Sequence, residues 1–219
     1  MTNHSRSDRI ITALTVVAGL LAIAVGGSAL VSEFGGRGND DEVPEPRAVD
    51  GWDRLIEYGH RVGPDDARVT ILAFGDYQCP ACRVWHSHIR AVLRQFPTDV
   101  AFVYRHYPLP YHQLAYPAAR AAECAAEQGA FWTFHDLLYT EANWFGEAVI
   151  ELARTAGVVD LEGFRACTAS NDPHPLVERD IRAASELDAP GTPVVLVDGL
   201  LLAAGVDSTS LATRIRDTQ

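Results

Sequence analysis

The stretch that decides the fold is Val69-Thr70-Ile71-Leu72-Ala73-Phe74-Gly75-Asp76-Tyr77-Gln78-Cys79-Pro80-Ala81-Cys82-Arg83. A continuous apolar, β-branched run, Val69 to Phe74, is bounded by Pro64-Asp65-Asp66 before it and Gly75 after it, which predicts a buried strand. Two cysteines spaced by two residues follow at once, and the polar and apolar residues from Arg83 to Arg94 predict a helix. Disulfide exchange needs a thiolate, and a helix N-terminus stabilises one through its dipole and unpaired N–H groups. Cys79 is therefore the expected nucleophile. Cys82, one turn on, is the expected resolving thiol, able to close a small ring and release a mixed disulfide.

Three other readings fit a Cys pair at this position, the weakest being chance proximity of two unpaired cysteines. A structural disulfide rarely joins residues three apart at a helix start. Zinc could draw on His86 and His88, but finger-type sites place the histidine pair a dozen or more residues away on another element. Here Cys82 and His86 share a helix face with Cys79 at its end, a poor tetrahedral cage. No metal and no cofactor are expected.

Outward from this centre, the spacing of Val84, His88, Ala91 and Val92 continues the helix to Pro97, and Val100 to Tyr104 predicts a second buried strand. Strand, crossover helix, strand begins a parallel α/β sheet. From about Leu114 to Leu187 the pattern is helical. Ala118 to Glu127, Ala130 to Tyr139, Glu147 to Ala156 and a segment starting near Asp160 are the expected helices, punctuated by Gly129, Gly146, Gly157 and Pro173. After Pro193 the texture returns to strand, with Val194 to Val197, an Asp198-Gly199 hairpin signal and Leu200 to Ala203, before a last helix capped by Asp207 or Ser208 and ending near Arg216. The order β, α, β, helical insert, β, β, α is that of an α/β thioredoxin fold with an inserted helical domain at about residues 112–188.

With the order established, Phe74 to Cys82 together with Gly191-Thr192-Pro193-Val194-Val195-Leu196-Val197-Asp198-Gly199 resembles the DsbA-like thiol:disulfide oxidoreductases, in the branch of short extracytoplasmic members often found in Gram-positive-type envelopes. The resemblance covers about 155 residues, from Gly59 onward. It implies a cis Thr192-Pro193 bond that brings Thr192 beside Cys79 and leaves the Thr192 backbone free to pair with a substrate strand. Pro80 and Ala81 complete the active-site tetrad. One departure matters: strong oxidants of the family carry His where this chain has Ala81, and that His helps stabilise the thiolate.

The 219 residues fall into further parts. Residues 10–31 form an uncharged, mostly apolar stretch of 22, long enough to cross a bilayer. Arg6 and Arg9 precede it and Glu33, Asp40, Asp41 and Glu42 follow it. The positive-inside rule then leaves residues 1–9 cytoplasmic and the rest outside, as a single-pass anchor in the cell membrane. Its length argues against cleavage as a signal peptide. Residues 32–50, rich in Gly, Pro and acid, read as a flexible tether. Residues 51–219 make one domain.

Net charge is −11, carried against arginine alone, with no lysine. That balance and the lack of a phosphate-cradling glycine loop disfavour nucleic acid and anionic lipid as partners. Cys124 and Cys167 are left over, and outside the cytoplasm two such cysteines are more often joined than free, which predicts a structural disulfide stapling the insert. A second redox relay and a pair of buried reduced thiols are the rival readings. Phe131, Trp132, Phe134 and Trp144 read as core of the insert, and Asp76 as a loop cap.

The expected function is the introduction of disulfides into reduced cysteine-containing secreted or envelope proteins, with reoxidation by a quinone-coupled membrane partner. The alternatives are a reductase or isomerase of the same compartment, and a redox-inactive tethered peptide-binding module.

Overall fold

A computed structural model describes residues 45–202 and 206–217. Residues 1–9, expected to be cytoplasmic, the apolar stretch 10–31 and the part of the expected tether up to residue 44 lie outside the described residues. Among the described residues no helix is long and apolar enough to cross a membrane.

The apolar run that opens the reading is strand β3, Val69–Gly75, in a mixed sheet. Strands β1 (Arg47–Ala48), β2 (His60–Val62), β4 (Val100–His106), β5 (Val194–Val197) and β6 (Leu200–Leu201) complete it, in the order β1-β6-β5-β3-β4-β2. β3 pairs parallel with β4 from Val69↔Val100 to Gly75↔His106, and antiparallel with β5 from Ile71↔Val197 to Phe74↔Val194. Every residue of β3 and β4 is buried because both faces of the sheet are covered, which is why their sequences run apolar without alternation. Ile71, Ala73, Phe102 and Tyr104 face one core, and Leu72, Phe74, Val103 and Leu196 the other.

Helix α2, Pro80–Gln95, is the crossover between β3 and β4. Trp85, Ile89 and Val92 point into the sheet while Val84 is 59% exposed. The buried stripe therefore starts one residue later than the Val84 and His88 spacing read from the sequence. Tryptophan and isoleucine carry more apolar area than the residues that spacing chose, and they decide the rotation of the helix.

The insert comprises α3 (Ala115–Ala126), α4 (Phe131–Thr140), α5 (Glu147–Ala156), α6 (Leu161–Ala169) and α7 (Pro175–Ser185). Gly157, at φ 96°, stops α5, and the Asp160 carboxylate accepts from the Gly163 N–H to start α6. Pro175 opens α7 at its first turn, where the missing N–H costs nothing, two residues after Pro173, which reads as punctuation. Helix α8, Ser208–Asp217, packs Leu211 and Ala212 against the same core as α2.

The last residues of the stretch read as a tether are part of the sheet. Arg47 and Ala48 pair with Leu201 and Leu200 at one edge, and α1, Trp52–Glu57, then covers the second core with Trp52, Leu55 and Ile56. Asp198 and Gly199 adopt φ of 47° and 80°, the left-handed pair that a two-residue hairpin between β5 and β6 requires.

Cys124 of α3 and Cys167 of α6 are joined as a disulfide across a separation of 43 residues. Replacing both by Ala should lower stability by about 4 kcal/mol in the chain-entropy model. Urea denaturation under non-reducing conditions measures it. Exchange activity should be retained, and its loss in a folded double variant would assign the pair a redox role.

Candidate active site

Asp76 builds the turn that carries the first cysteine. Its Oδ1 accepts from the backbone N–H of Gln78 at 2.7 Å and of Cys79 at 3.2 Å, a local cap that turns the chain from β3 into α2. Its Oδ2 accepts from Leu109 N at 2.9 Å and meets His112 Nδ1 at 2.7 Å. One carboxylate, 1% exposed, thus fastens the dithiol loop to the segment leaving β4. Gln78 adds a second fastening, its Oε1 accepting from Leu114 N at 2.7 Å. Behind the loop there is no room: a Cβ on Gly75 would lie 2.7 Å from the Tyr104 ring and 2.9 Å from the Tyr139 hydroxyl.

Cys79 is the N-cap of α2 and Pro80 its first residue. Both cysteines are buried and unpaired by a disulfide, Cys79 at 7% exposure and Cys82 at 2%. The Thr192-Pro193 bond is cis, and Cys79 Sγ lies 3.4 Å from the Thr192 carbonyl oxygen. The structure therefore brings Cys79, Pro80, Ala81, Cys82, Thr192 and Pro193 together and leaves Cys124 and Cys167 apart, within the insert.

The two sulfurs differ in acidity. Cys79 is lowered from 9.0 to about 5, chiefly by the hydrogen bond from the Cys82 thiol; burial opposes this, and the Thr192 hydroxyl and the Cys82 and Ala81 N–H groups reinforce it. Burial drives Cys82 far the other way, and its bond to Cys79 adds to the rise. At neutral pH the site holds one thiolate beside one thiol. Ultraviolet thiolate absorbance should therefore give a single transition near pH 5. The thiolate is favoured in the fold, so Cys79 contributes stability to the reduced protein that is complete by about pH 9 and is lost as the pH falls through about 5, whereas the buried Cys82 thiol withdraws stability as the pH rises above about 9.

Beneath the pair lies a polar layer that hydrophobic periodicity does not reveal. Tyr104 and Tyr139 share a hydroxyl contact of 3.1 Å, Tyr77 Oη meets His135 Nδ1 at 2.9 Å, and His86 Nε2 meets Asp136 Oδ1 at 2.8 Å. Further along, Glu123 Oε1 is shared by His60 Nε2 and His106 Nε2, each at 2.8 Å. Burial alone would raise the Glu123 carboxyl, yet the His106 and His60 hydrogen bonds hold it well below the usual range. His60, His106 and Glu123, and likewise His86, His135 and Asp136, bring metal-type donor atoms within 4.8 Å of one another. In the second group Arg90 already places a cation 2.9 Å from Asp136, which opposes another. The signal for this layer is Arg105-His106, two polar residues closing an otherwise apolar strand.

Comparison with known proteins agrees with this geometry. The family described as Thioredoxin matches residues 55–217. Among curated proteins the chain is 34% identical over 167 residues to the Na(+)/H(+) antiporter NhaA 1 of Salinispora arenicola, covering 72% of this chain and 26% of the antiporter. It is 37% identical over 141 residues to NhaA 3 of Salinispora tropica, covering 64% and 22%. The chain thus spans about a quarter of the length of the curated relatives it matches.

Among solved structures, a thioredoxin-like oxidoreductase from Silicibacter pomeroyi is 26% identical with a TM-score of 0.66, covering 75% of this chain and 95% of that one. BdbD from Bacillus subtilis is 25% identical with a TM-score of 0.66, covering 74% and 94%. A cysteine pair at a helix N-terminus opposite a cis proline, within a family match that spans most of the chain and oxidoreductase structures matched over nearly their full length, means that this chain belongs to the thioredoxin family, in its thiol–disulfide oxidoreductase branch.

Proposed function

We propose that this protein donates the Cys79-Cys82 disulfide to reduced cysteines of secreted or envelope proteins, from outside the cytoplasm and held by residues 10–31 in the membrane. A substrate thiolate attacks Cys79 Sγ, the Cys79–Cys82 bond breaks, and the electron pair leaves on Cys82. A second substrate thiolate then attacks its partner sulfur in the mixed disulfide and expels Cys79 as a thiolate. Two electrons have passed to the pair and one disulfide to the substrate. A membrane quinone-coupled partner takes the electrons away.

The observation that carries this direction is the Cys79 thiol at about 5, since a stabilised thiolate leaves readily and favours the reduced pair. Thr192, beside the sulfur on the cis-proline loop, offers backbone for a substrate strand to pair with. Arg6 and Arg9 before the apolar stretch, and acids after it, support the orientation.

The reverse direction, a reductase or isomerase kept reduced by a membrane donor, keeps one observation in its favour, which is Ala81 where strong oxidants carry His. A redox-inactive peptide-binding module is disfavoured by the intact dithiol. Equilibration of the domain in glutathione buffers decides between directions. A potential near about −120 mV supports the disulfide donor, and one near about −270 mV the reductase.

A further inference from the structure

Exchange requires the proton of Cys82 to come and go, yet this thiol is only 2% exposed. Its surroundings restrict the exits. Cys82 lines a cavity of about 10 Å³ with Tyr104, Tyr139, His86 and His135, the rest of the lining being Pro193 and apolar residues that include Trp85. That volume holds about one water. Asp76, the nearest acid in sequence, is committed to the loop, where four donors occupy its two oxygens.

The four polar groups around the cavity are not equivalent. Burial keeps both tyrosines protonated; Tyr139 and Cys82 act in the same sense on Tyr104, and Cys82 and Tyr77 on Tyr139, where only the Tyr104 hydrogen bond opposes. Burial, reinforced by the adjacent His86, keeps His135 neutral, and its Nδ1 is engaged by Tyr77. His86 differs by its connection outward. Its Nε2 meets the Asp136 carboxylate at 2.8 Å, and Asp136, at 28% side-chain exposure, meets Arg90, at 47%, so the chain of contacts runs from the cavity to the surface.

We propose that His86, backed by Asp136, is the group through which Cys82 gains and loses its proton, by way of the cavity it shares with that thiol. The inference rests on the redox reading of the Cys79-Cys82 pair and holds for either direction of electron flow. In resolution, the Cys82 proton passes to the His86 imidazole and the Cys82 thiolate attacks Cys79 Sγ. The mixed disulfide breaks, the Cys79–Cys82 bond forms, the substrate sulfur leaves with the electron pair, and His86 returns the proton to solvent past Asp136. When the pair is reduced the same steps run backward, and the imidazolium protonates the departing Cys82 sulfur. His86 acts through the cavity rather than on the substrate and is a positioning and proton-relay residue.

The test uses the full chain with glutathione in mixed disulfide with Cys79, prepared at low pH and brought to neutral pH, with release of glutathione as the readout. His86→Gln, which can keep a hydrogen bond to Asp136, should slow release about a hundredfold. The reduction potential should remain that of the parent, because the relay appears on neither side of the equilibrium. A solvent deuterium effect present in the parent should disappear from the slowed step. Asp136→Asn, partly exposed and outside the cavity, gives a folded check and should slow release less, again at constant potential. Release at the parent rate in both variants overturns the relay, as does a slowing matched by an equal shift in potential, which would mark a structural role. A parent that neither forms the Cys79-Cys82 disulfide nor releases glutathione overturns the redox reading itself.

Discussion

Replacing Cys79 by Ser should abolish thiol–disulfide exchange and leave the fold intact. The oxygen is isosteric enough to keep the N-cap of α2 and its contacts with the Asp76 turn, but it cannot form the mixed disulfide. No other sulfur is placed to substitute. Cys82 is 2% exposed beneath the loop, and Cys124 and Cys167 are joined to each other. The assay is reduction of a model disulfide or oxidation of a reduced peptide, with circular dichroism as the control for folding. Residual turnover above a few per cent of the parent would remove Cys79 from the chemistry.

Asp180→Ala should produce the largest loss of stability. Asp180 on α7 meets Arg105 at the end of β4 through Nε at 2.8 Å and Nη2 at 2.7 Å, and its second oxygen accepts from His106 N at 3.0 Å. Both charged side chains are 2% exposed. Truncating the acid strands the Arg105 guanidinium, whose remaining contacts are the Leu55 carbonyl and the face of Phe74, and leaves a backbone donor unmatched. Breaking a buried pair from one side costs about 3–5 kcal/mol, which for a domain of this size lowers Tm by about 10 °C. Thermal unfolding checks it, and a shift of only about a degree would mean that water reaches the orphaned guanidinium. The effect should extend to activity, because the chain leaving Arg105-His106 gives Tyr107 N to the Gly75 carbonyl at 2.7 Å and Leu109 N to Asp76. A weakened α7 anchor therefore loosens the loop that holds Cys79.

That second result concerns a part of the molecule that the sequence conceals. Strands β3, β4 and β5 could be read because they are buried on both faces and therefore apolar throughout, and α5 because glycines bracket it. The dithiol and Thr192-Pro193 were legible as a pair because each occupies the place the element order demands of the other. β1, α1 and β2 were not legible. β1 and β2 are short edge strands of the sheet and α1 is a short helix over it; α1 has no fully buried residue, and β2 is only partly buried, so no period emerges from their residues. Arg105, His106, Glu123, His135 and Asp180 escaped for the opposite reason, since hydrophobic patterning assigns polar residues to the surface and these are buried in mutual contacts. Asp76 was readable as a loop cap from its position, but its hold on Leu109 and His112 depends on a segment more than thirty residues away and only folding brings it there.

The Cys124–Cys167 bond has a consequence for proteolysis. The exposed residues Glu141, Ala142, Asn143 and Phe145, between α4 and α5, form the accessible turn of the insert, and they lie inside the ring that this disulfide closes. A protease that cuts there opens the ring without dividing the molecule, since the two pieces remain linked sulfur to sulfur. On a non-reducing gel the clipped protein would keep its mass, and with reductant it would separate into two fragments. A domain whose own business is the exchange of disulfides thus carries one that lets it survive a nick as a single covalent molecule for as long as its surroundings stay oxidising.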